Sequence, residues 1–299
     1  MRICSFSNWG TKFLGMINDY WRQQGHEVRY AMGYDPAWHE WSDLCFVDVG
    51  DNNSQVASRQ RFPNSRLVIR VIDIEAWVGQ PGGVQWENAD VCIFGAKHIE
   101  ELVRSYVNFP PNVQVVHIPF GVDLSKWTFR ERDGKGKKVA CVAHQWTAKG
   151  LPLLFQVMAK LGPGWELHTL GTKSKGDVWQ FRYYDHIIKH LGIDYHYTER
   201  VDDVDAWLDD KDFHILASMK ESFGYSSAEA AAKGIKPLVH RYWRAEDVWP
   251  ESWIWDTVDQ CADMILNQPY NSIQYRDVIE QTYSLDAMMS KINAVCGIK

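Results

Sequence analysis

The sequence predicts an α/β fold in two halves, each a parallel β-sheet covered by helices on both faces. Three observations predict it. Short apolar runs alternate with helical stretches along most of the chain, and strands this uniformly apolar belong to sheets buried on both sides. The alternation ends at Pro119-Phe120-Gly121-Val122-Asp123, crosses a hydrophilic segment at 130–138, and then restarts. A length of 299 residues also suffices for two domains of ordinary size, each with its own core.

In the first half, a strand at 3–6 leads into the polar turn Ser7-Asn8-Trp9-Gly10-Thr11 and then a helix that Gly25 stops. Further strands are predicted at 28–31, 44–47, 67–72, 91–94 and 113–118, with helices between most of them. In the second half, strands at 139–143, 165–170, 195–197 and 213–217 alternate with helices at 151–161, 177–191, 204–208 and 226–233. A last strand begins at Leu238, and 283–295 has a helical pattern. The expected domains are 1–122 and 123–270, with a helical segment at 271–299 packing back on the first. Two such halves imply a ligand cleft between them.

Composition bounds the function. The chain is 45% hydrophobic and 23% charged, with a net charge of −6, which gives no general attraction to nucleic acid. No apolar run is long enough to span a bilayer, and the first residues lack the apolar core of a secretory leader. The expected location is cytoplasmic, peripheral to a membrane, or a host cytoplasm for a phage-encoded chain. The six cysteines form no CxxC pair, so buried free thiols are expected. Many of the 15 tryptophans are expected in the core, and the excess favours a binding cleft, since aromatic side chains also stack on sugars and bases.

The segment Glu221-Ser222-Phe223-Gly224-Tyr225-Ser226-Ser227-Ala228-Glu229 carries the most chemistry. It follows a buried strand and opens an alanine-rich helix, so its backbone N–H groups suit a phosphate at the positive end of the helix dipole. Carboxylates at Glu221 and Glu229 suit sugar and ribose hydroxyls. In His144-Gln145-Trp146-Thr147-Ala148-Lys149-Gly150, a lysine between strand and helix can neutralise a diphosphate at the same sheet edge.

These segments resemble retaining GT-B glycosyltransferases, in particular glycosyltransferase family 4. The resemblance rests on His117-Ile118-Pro119-Phe120-Gly121-Val122-Asp123, Ala148-Lys149-Gly150, Leu170-Gly171, and Ser218 through both glutamates to Gly234 and Pro237. It covers 115–240 in the expected order; the first half matches in outline only. The implied fold is GT-B, two Rossmann-like domains facing each other across a cleft. The implied activity is transfer of a sugar from a nucleotide-diphosphate sugar to a hydroxyl, with retention, without a metal or other cofactor.

By that resemblance, Glu221 binds donor-sugar hydroxyls, and Phe223, Gly224, Tyr225 and Ser226 offer backbone N–H groups to the sugar and distal phosphate. Glu229 holds the ribose, Lys149 the diphosphate, and Arg200 lies beside a base, with uracil or guanine favoured. Gly10 and Thr11 approach the donor phosphate or acceptor from the first domain. His144 stands where the family has an arginine, and Ile72 where it has a histidine, leaving Asp73 or Glu75 to serve near the sugar, with helix capping as the other role for Asp73.

Other features read as structural. Asp203-Val204-Asp205 looks like a metal-binding DxD but starts a helix, where acidic residues suit the dipole. His186 and His190 lack a third ligand, Asp133-Gly134-Lys135-Gly136-Lys137-Lys138 reads as a mobile interdomain loop, and His98 as a surface histidine. The acceptor stays open: a glycan, a lipid-linked sugar or wall polymer, or a modified base in phage DNA approached by Arg59, Arg61, Arg66, Lys135, Lys137 and Lys138. A nucleotide-sugar epimerase and a non-catalytic binding protein share the same features.

Overall fold

A computed structural model describes residues 1–174, 176 and 178–298, with the backbone alone at 11 and 12. The chain divides into two compact units, Met1–Gly121 with Ser284–Lys299, and Val122–Tyr283.

In the first unit the elements run β1 (Arg2–Phe6), α1 (Thr11–Gln23), β2 (Glu27–Ala31), α2 (Pro36–Trp41), β3 (Leu44–Asp48) and α3 (Asn52–Ala57). They continue with β4 (Arg66–Val71), α4 (Ile74–Trp77), β5 (Val91–Phe94), α5 (Lys97–Arg104) and β6 (Gln114–His117). All strands pair in parallel, in the order β2-β1-β3-β4-β5-β6. Alternate residues of each strand feed different cores, as the two-residue period requires. Phe6, Val47, Ile69 and Phe94 pack with Ala57, Ala76, Ile99 and Val103 on one face. Ile3, Phe46, Val68 and Ile93 pack with Leu14, Ile17 and Trp21 of α1 on the other.

The second unit comprises β7 (Lys138–Val142), α6 (Leu151–Leu161), β8 (Glu166–Leu170), α7 (Val178–Leu191), β9 (Asp194–Thr198) and α8 (Val204–Leu208). It ends with β10 (Phe213–Leu216), α9 (Tyr225–Ala232), β11 (Lys236–His240), β12 (Ile254–Trp255), α10 (Val258–Leu266) and α11 (Ser272–Thr282). Its sheet is also parallel, in the order β12-β11-β10-β7-β8-β9. Val139, Leu167, Phe213 and Leu238 face Leu154, Phe155 and Met264. On the opposite face Ala140 packs with Leu208, Ala230 and Ile235. The helix expected at 177–191 is α7; residue 177 lies outside the described residues.

The last helix, α12 (Leu285–Cys296), returns to the first unit, where Met288, Met289, Ile292 and Cys296 pack beside Ile3 and Trp21. Among the described helices after Val122, only this one does so. The segment expected to return begins at 271, but α11 belongs to the second unit, where Arg276 donates to the carbonyls of Trp127 and Ala232. The glycine- and lysine-rich segment at 133–138 likewise lies inside the second unit and is not interdomain: a Cβ on Gly134 would meet Tyr270, and one on Gly136 would meet Asp212. All six cysteines are buried and free. Among the described residues, no helix is long and apolar enough to cross a membrane.

Candidate active site

The second unit reverses its strand order between β7 and β10: β8 and β9 build outward from one, β11 and β12 from the other. Ligands of open parallel sheets bind outside the carboxyl ends of the strands at such a switch point. Both chemically loaded segments leave from there, one after β7 and one after β10. The loops are laced together, since the Met219 N–H donates to the Ala148 carbonyl at 2.9 Å. Lys149 Nζ and Glu221 Oε1, 72 residues apart in sequence, form an ion pair, with side chains 22% and 12% exposed.

Two glycines set this geometry. Gly150, at φ 66°, turns the chain from the lysine into α6, and a Cβ there would lie 2.0 Å from the Ala217 carbonyl oxygen. Gly224, at φ 89°, starts α9, and a Cβ there would lie 2.7 Å from Leu216 Cδ2. Left-handed backbone plus crowding leaves room only for glycine. No side chain caps the start of α9, which leaves the positive end of its dipole facing the switch point.

Phe223 is buried, and its carbonyl accepts from Trp249 Nε1 at 3.0 Å and from Tyr242 Oη at 3.5 Å. Its ring stacks on Trp249 at 5.1 Å and meets Tyr225 edge-on at 5.1 Å. This aromatic packing fixes the loop that Glu221 stands on. Tyr225 and Ser226 form the first turn of α9, and Glu229 lies half-buried one turn on, among buried alanines. His214, beneath α9, is fully buried with Nδ1 3.3 Å from Ser227 Oγ, and burial pushes its pKa down to about 3. It is a neutral strut.

His144 is exposed at the end of β7, with Nδ1 2.7 Å from Thr172 Oγ1 and its ring stacked on Trp146 at 5.7 Å. Arg200 is exposed after β9, at the outer edge of the sheet, so β8 stands between its strand and β7.

The first unit has a switch point of its own, between β1 and β3. There Asn8 Nδ2 donates to Asp51 Oδ2 at 2.6 Å, while Asp51 Oδ1 accepts from the Asn53 N–H at 2.9 Å and caps α3. Asp51 is buried, and that burial raises its pKa above the ordinary carboxylate value. Just before it, Val49 holds φ 78°, a conformation that costs a β-branched residue about 1–3 kcal/mol. A concavity of about 400 Å³ opens beside them, lined by Asn8, Trp9, Asp51, Ile74 and Val78 among others. Gly10, at φ 67°, starts α1 there without a side-chain cap; the side chain of Thr11 lies outside the described residues.

Asp73 sits at the N-cap position of α4 without a capping side-chain hydrogen bond; its Oδ1 accepts from Trp77 Nε1 at 3.1 Å. Glu75 does the bridging. It is buried, raised in pKa by that burial, and accepts from the N–H groups of both Ile72 and Asp73. The sequence expectations include Gly10 and Thr11 but not Asp51 or the Trp249 support. The run Val49-Gly50-Asp51-Asn52-Asn53, directly after an apolar strand, is the signal for the first. The second has no local signal.

Among the other features, Asp203 caps α8 through the Ala206 N–H at 2.9 Å, and Asp205 pairs with Lys233, so both DxD carboxylates are engaged by the protein. His98, expected at the surface, is 1% exposed in the first turn of α5, where helical phase turns it inward. Three of the cations considered for DNA are paired: Arg61 with Asp90, Lys135 with Asp133 and Lys138 with Asp210.

No protein-family model and no curated protein matches the sequence. Solved structures do. HepE from Anabaena, in complex with UDP, matches at a TM-score of 0.78 and 13% identity, over 99% of this chain and 100% of that one. Sucrose-phosphate synthase from Thermosynechococcus elongatus matches at 0.79 and 13% identity, over 99% and 98%. The lipopolysaccharide outer core galactosyltransferase WaaB matches at 0.74 and 15%, over 99% of both chains. The chain has the α/β GT-B fold of glycosyltransferases, with two parallel six-stranded sheets.

Proposed function

We propose that the protein is a retaining, family-4-like glycosyltransferase that moves a sugar from a nucleotide-diphosphate sugar to a hydroxyl acceptor without a metal. The observation that carries this reading is the Lys149–Glu221 pair at the switch point, beside the uncapped start of α9. The similar HepE structures with UDP and with UDP and glucose support a uridine-linked donor.

Cleaving the donor leaves new negative charge on the diphosphate while the sugar becomes oxocarbenium-like. Lys149 and the α9 dipole would stabilise that charge where it develops. Glu221 would accept hydrogen bonds from sugar hydroxyls, and Glu229, one turn into α9, from the ribose. The N–H groups at Phe223 to Ser226 would hold the sugar and distal phosphate, and Arg200 would lie beside the base. His144 would add a hydrogen bond in place of the family arginine's full charge. The leaving phosphate would take the acceptor proton on the same face, giving retention.

The acceptor is assigned to the concavity of the first unit, where Trp9 offers a stacking face and Asn8 and Asp51 polar atoms for hydroxyls; Gly10, Thr11 and Asp73 lie alongside. This composition suits a carbohydrate or lipid-linked sugar. The ion-paired state of Arg61, Lys135 and Lys138 weighs against a DNA phosphate track.

The test is turnover of UDP- and GDP-sugars with glycan acceptors, with and without EDTA, and NMR assignment of the product anomer. Retained configuration, EDTA-insensitive rates and loss of transfer in Glu221→Ala support the reading. Release of an epimer without acceptor would make the protein an epimerase. Donor binding with no turnover would make it a binding protein, and salt-sensitive transfer to hydroxymethylated DNA would change the acceptor class.

A further inference from the structure

A second cluster of ligating side chains lies on the same sheet, at the other end of its strands. β8 and β9 pair in parallel with Glu166 opposite Asp194 and His168 opposite His196. On each strand the acid and the histidine are two residues apart, so all four side chains leave the same face. That face is opposite the one carrying Leu167 into the core. Glu166 and Asp194 are the first residues of their strands, whereas Lys149 and Glu221 follow the carboxyl ends of theirs.

The side chains converge. His168 Nε2 lies 2.9 Å from Glu166 Oε2, and His196 Nε2 lies 3.9 Å from the same oxygen and 3.0 Å from Asp194 Oδ1. The two imidazoles stack at 4.5 Å and 11°, and both Nε2 atoms approach Glu166 Oε2. One ligand atom from each of Glu166, His168 and His196 fits within a 4.8 Å span.

We propose that Glu166, His168 and His196, with Asp194 as a fourth ligand, form a zinc site that clamps the edge strand β9 to β8. Tetrahedral zinc with bonds of about 2.0–2.2 Å sets its ligand atoms about 3.4 Å apart; the Glu166–His168 and Glu166–His196 separations straddle that value, and Asp194, outside the 4.8 Å group, has to rotate in to complete the set. Two imidazoles and two carboxylates are a nitrogen and oxygen set suited to zinc. Lys138 Nζ, 3.8 Å from Glu166 Oε2, is a competing cation, and Asp210 holds it more closely, at 2.8 Å. The role is structural. β9 is a sheet edge with a neighbour on one side only, and a bound ion supplies a cross-strand link there.

The site stands apart from the donor chemistry and is tested separately. Untagged, chelator-stripped protein is titrated with zinc against a chromogenic chelator, and its melting temperature is read with and without zinc. The expectation is one equivalent bound, a melting temperature raised by several degrees and reversed by EDTA, and affinity at least tenfold weaker in His196→Gln and in Glu166→Gln. His196 is half-exposed, so its variant tests the site even if a change at His168 impairs folding. His186 and His190 stack at 6.1 Å on α7 and serve as the control; His186→Gln is expected to bind zinc as the wild type does. No binding, binding unaffected by His196→Gln, or binding lost in His186→Gln would overturn the assignment.

Discussion

Lys149 and Glu221 meet because their strands, β7 and β10, are neighbours in space, though the two residues are 72 apart in sequence. Each of the two side chains follows the carboxyl end of its strand, and the pair stands at the one place where the sheet reverses its order. On the proposed function, a lysine and a carboxylate in contact beside an uncapped helix start would serve as adjacent sites for a diphosphate and for sugar hydroxyls.

Lys149→Ala should weaken nucleotide-diphosphate binding by about tenfold to a hundredfold, corresponding to about 1.4–3 kcal/mol for a charge-assisted contact. Glu221→Gln keeps the shape and removes the charge, so it should bind free nucleoside diphosphate nearly as well as wild type while losing turnover. Isothermal calorimetry with the diphosphate, run beside an activity assay, separates the two; equal losses in both variants would argue against this division of labour.

Gly150→Ala should destabilise the second unit by more than about 1 kcal/mol, because it combines left-handed backbone with a clash against a carbonyl oxygen. Gly162 also has positive φ, at 82°, but nothing lies within 4 Å of a Cβ there, so Gly162→Ala pays the backbone strain alone. Urea denaturation of both variants checks the ranking, and a smaller effect at Gly150 would contradict it.

In the first unit, Arg70 Nε donates to Asp48 Oδ1 at 2.6 Å between adjacent strands, and both side chains are essentially inaccessible. Arg70→Met should cost about 3–5 kcal/mol by leaving a buried carboxylate unpaired, whereas Arg70→Met with Asp48→Leu should recover much of that. Chemical denaturation of the single and double variants measures it. A double variant no more stable than the single would show that the loss is one of packing.

Stability should fall on acidification through the histidines. Burial lowers His39 to about 4 and His214 to about 3 in the folded state, against 6.5 unfolded. The unfolded chain therefore binds more protons below pH 6.5, and stability is lost as the pH falls from there toward 4. The loss at pH 4.5 is roughly 2–3 kcal/mol per histidine. His39→Gln should flatten this acid limb in urea titrations at pH 7 and 4.5; an unchanged limb would mean that other groups carry it.

The alternation of strands and helices was legible because the central strands are uninterrupted apolar runs, such as Val91 to Phe94. The shared edge of Lys149 and Glu221 followed from that alternation. What escaped the sequence depends on distant contacts. The Phe223 carbonyl is held by Trp249, 26 residues on, and neither residue announces the other. β12, only two residues long, is too short for a periodic pattern. Glu75 was a candidate for the donor-sugar side, but its burial inside a four-residue helix, accepting from the Ile72 and Asp73 N–H groups, is seen only in the fold. The repeated acid-x-histidine of Glu166 to His168 and Asp194 to His196 was visible, but it means little until the two strands are known to be neighbours.

The β7–β10 switch point is expected to hold a nucleotide-diphosphate sugar through Lys149 and Glu221. Calorimetric titration of the wild type and of Lys149→Ala with UDP-, GDP- and ADP-sugars tests it most directly. The prediction is one-to-one binding of a UDP- or GDP-sugar to the wild type, weakened at least tenfold in the variant. Absence of binding across the whole panel, or equal affinity in wild type and Lys149→Ala, would contradict it.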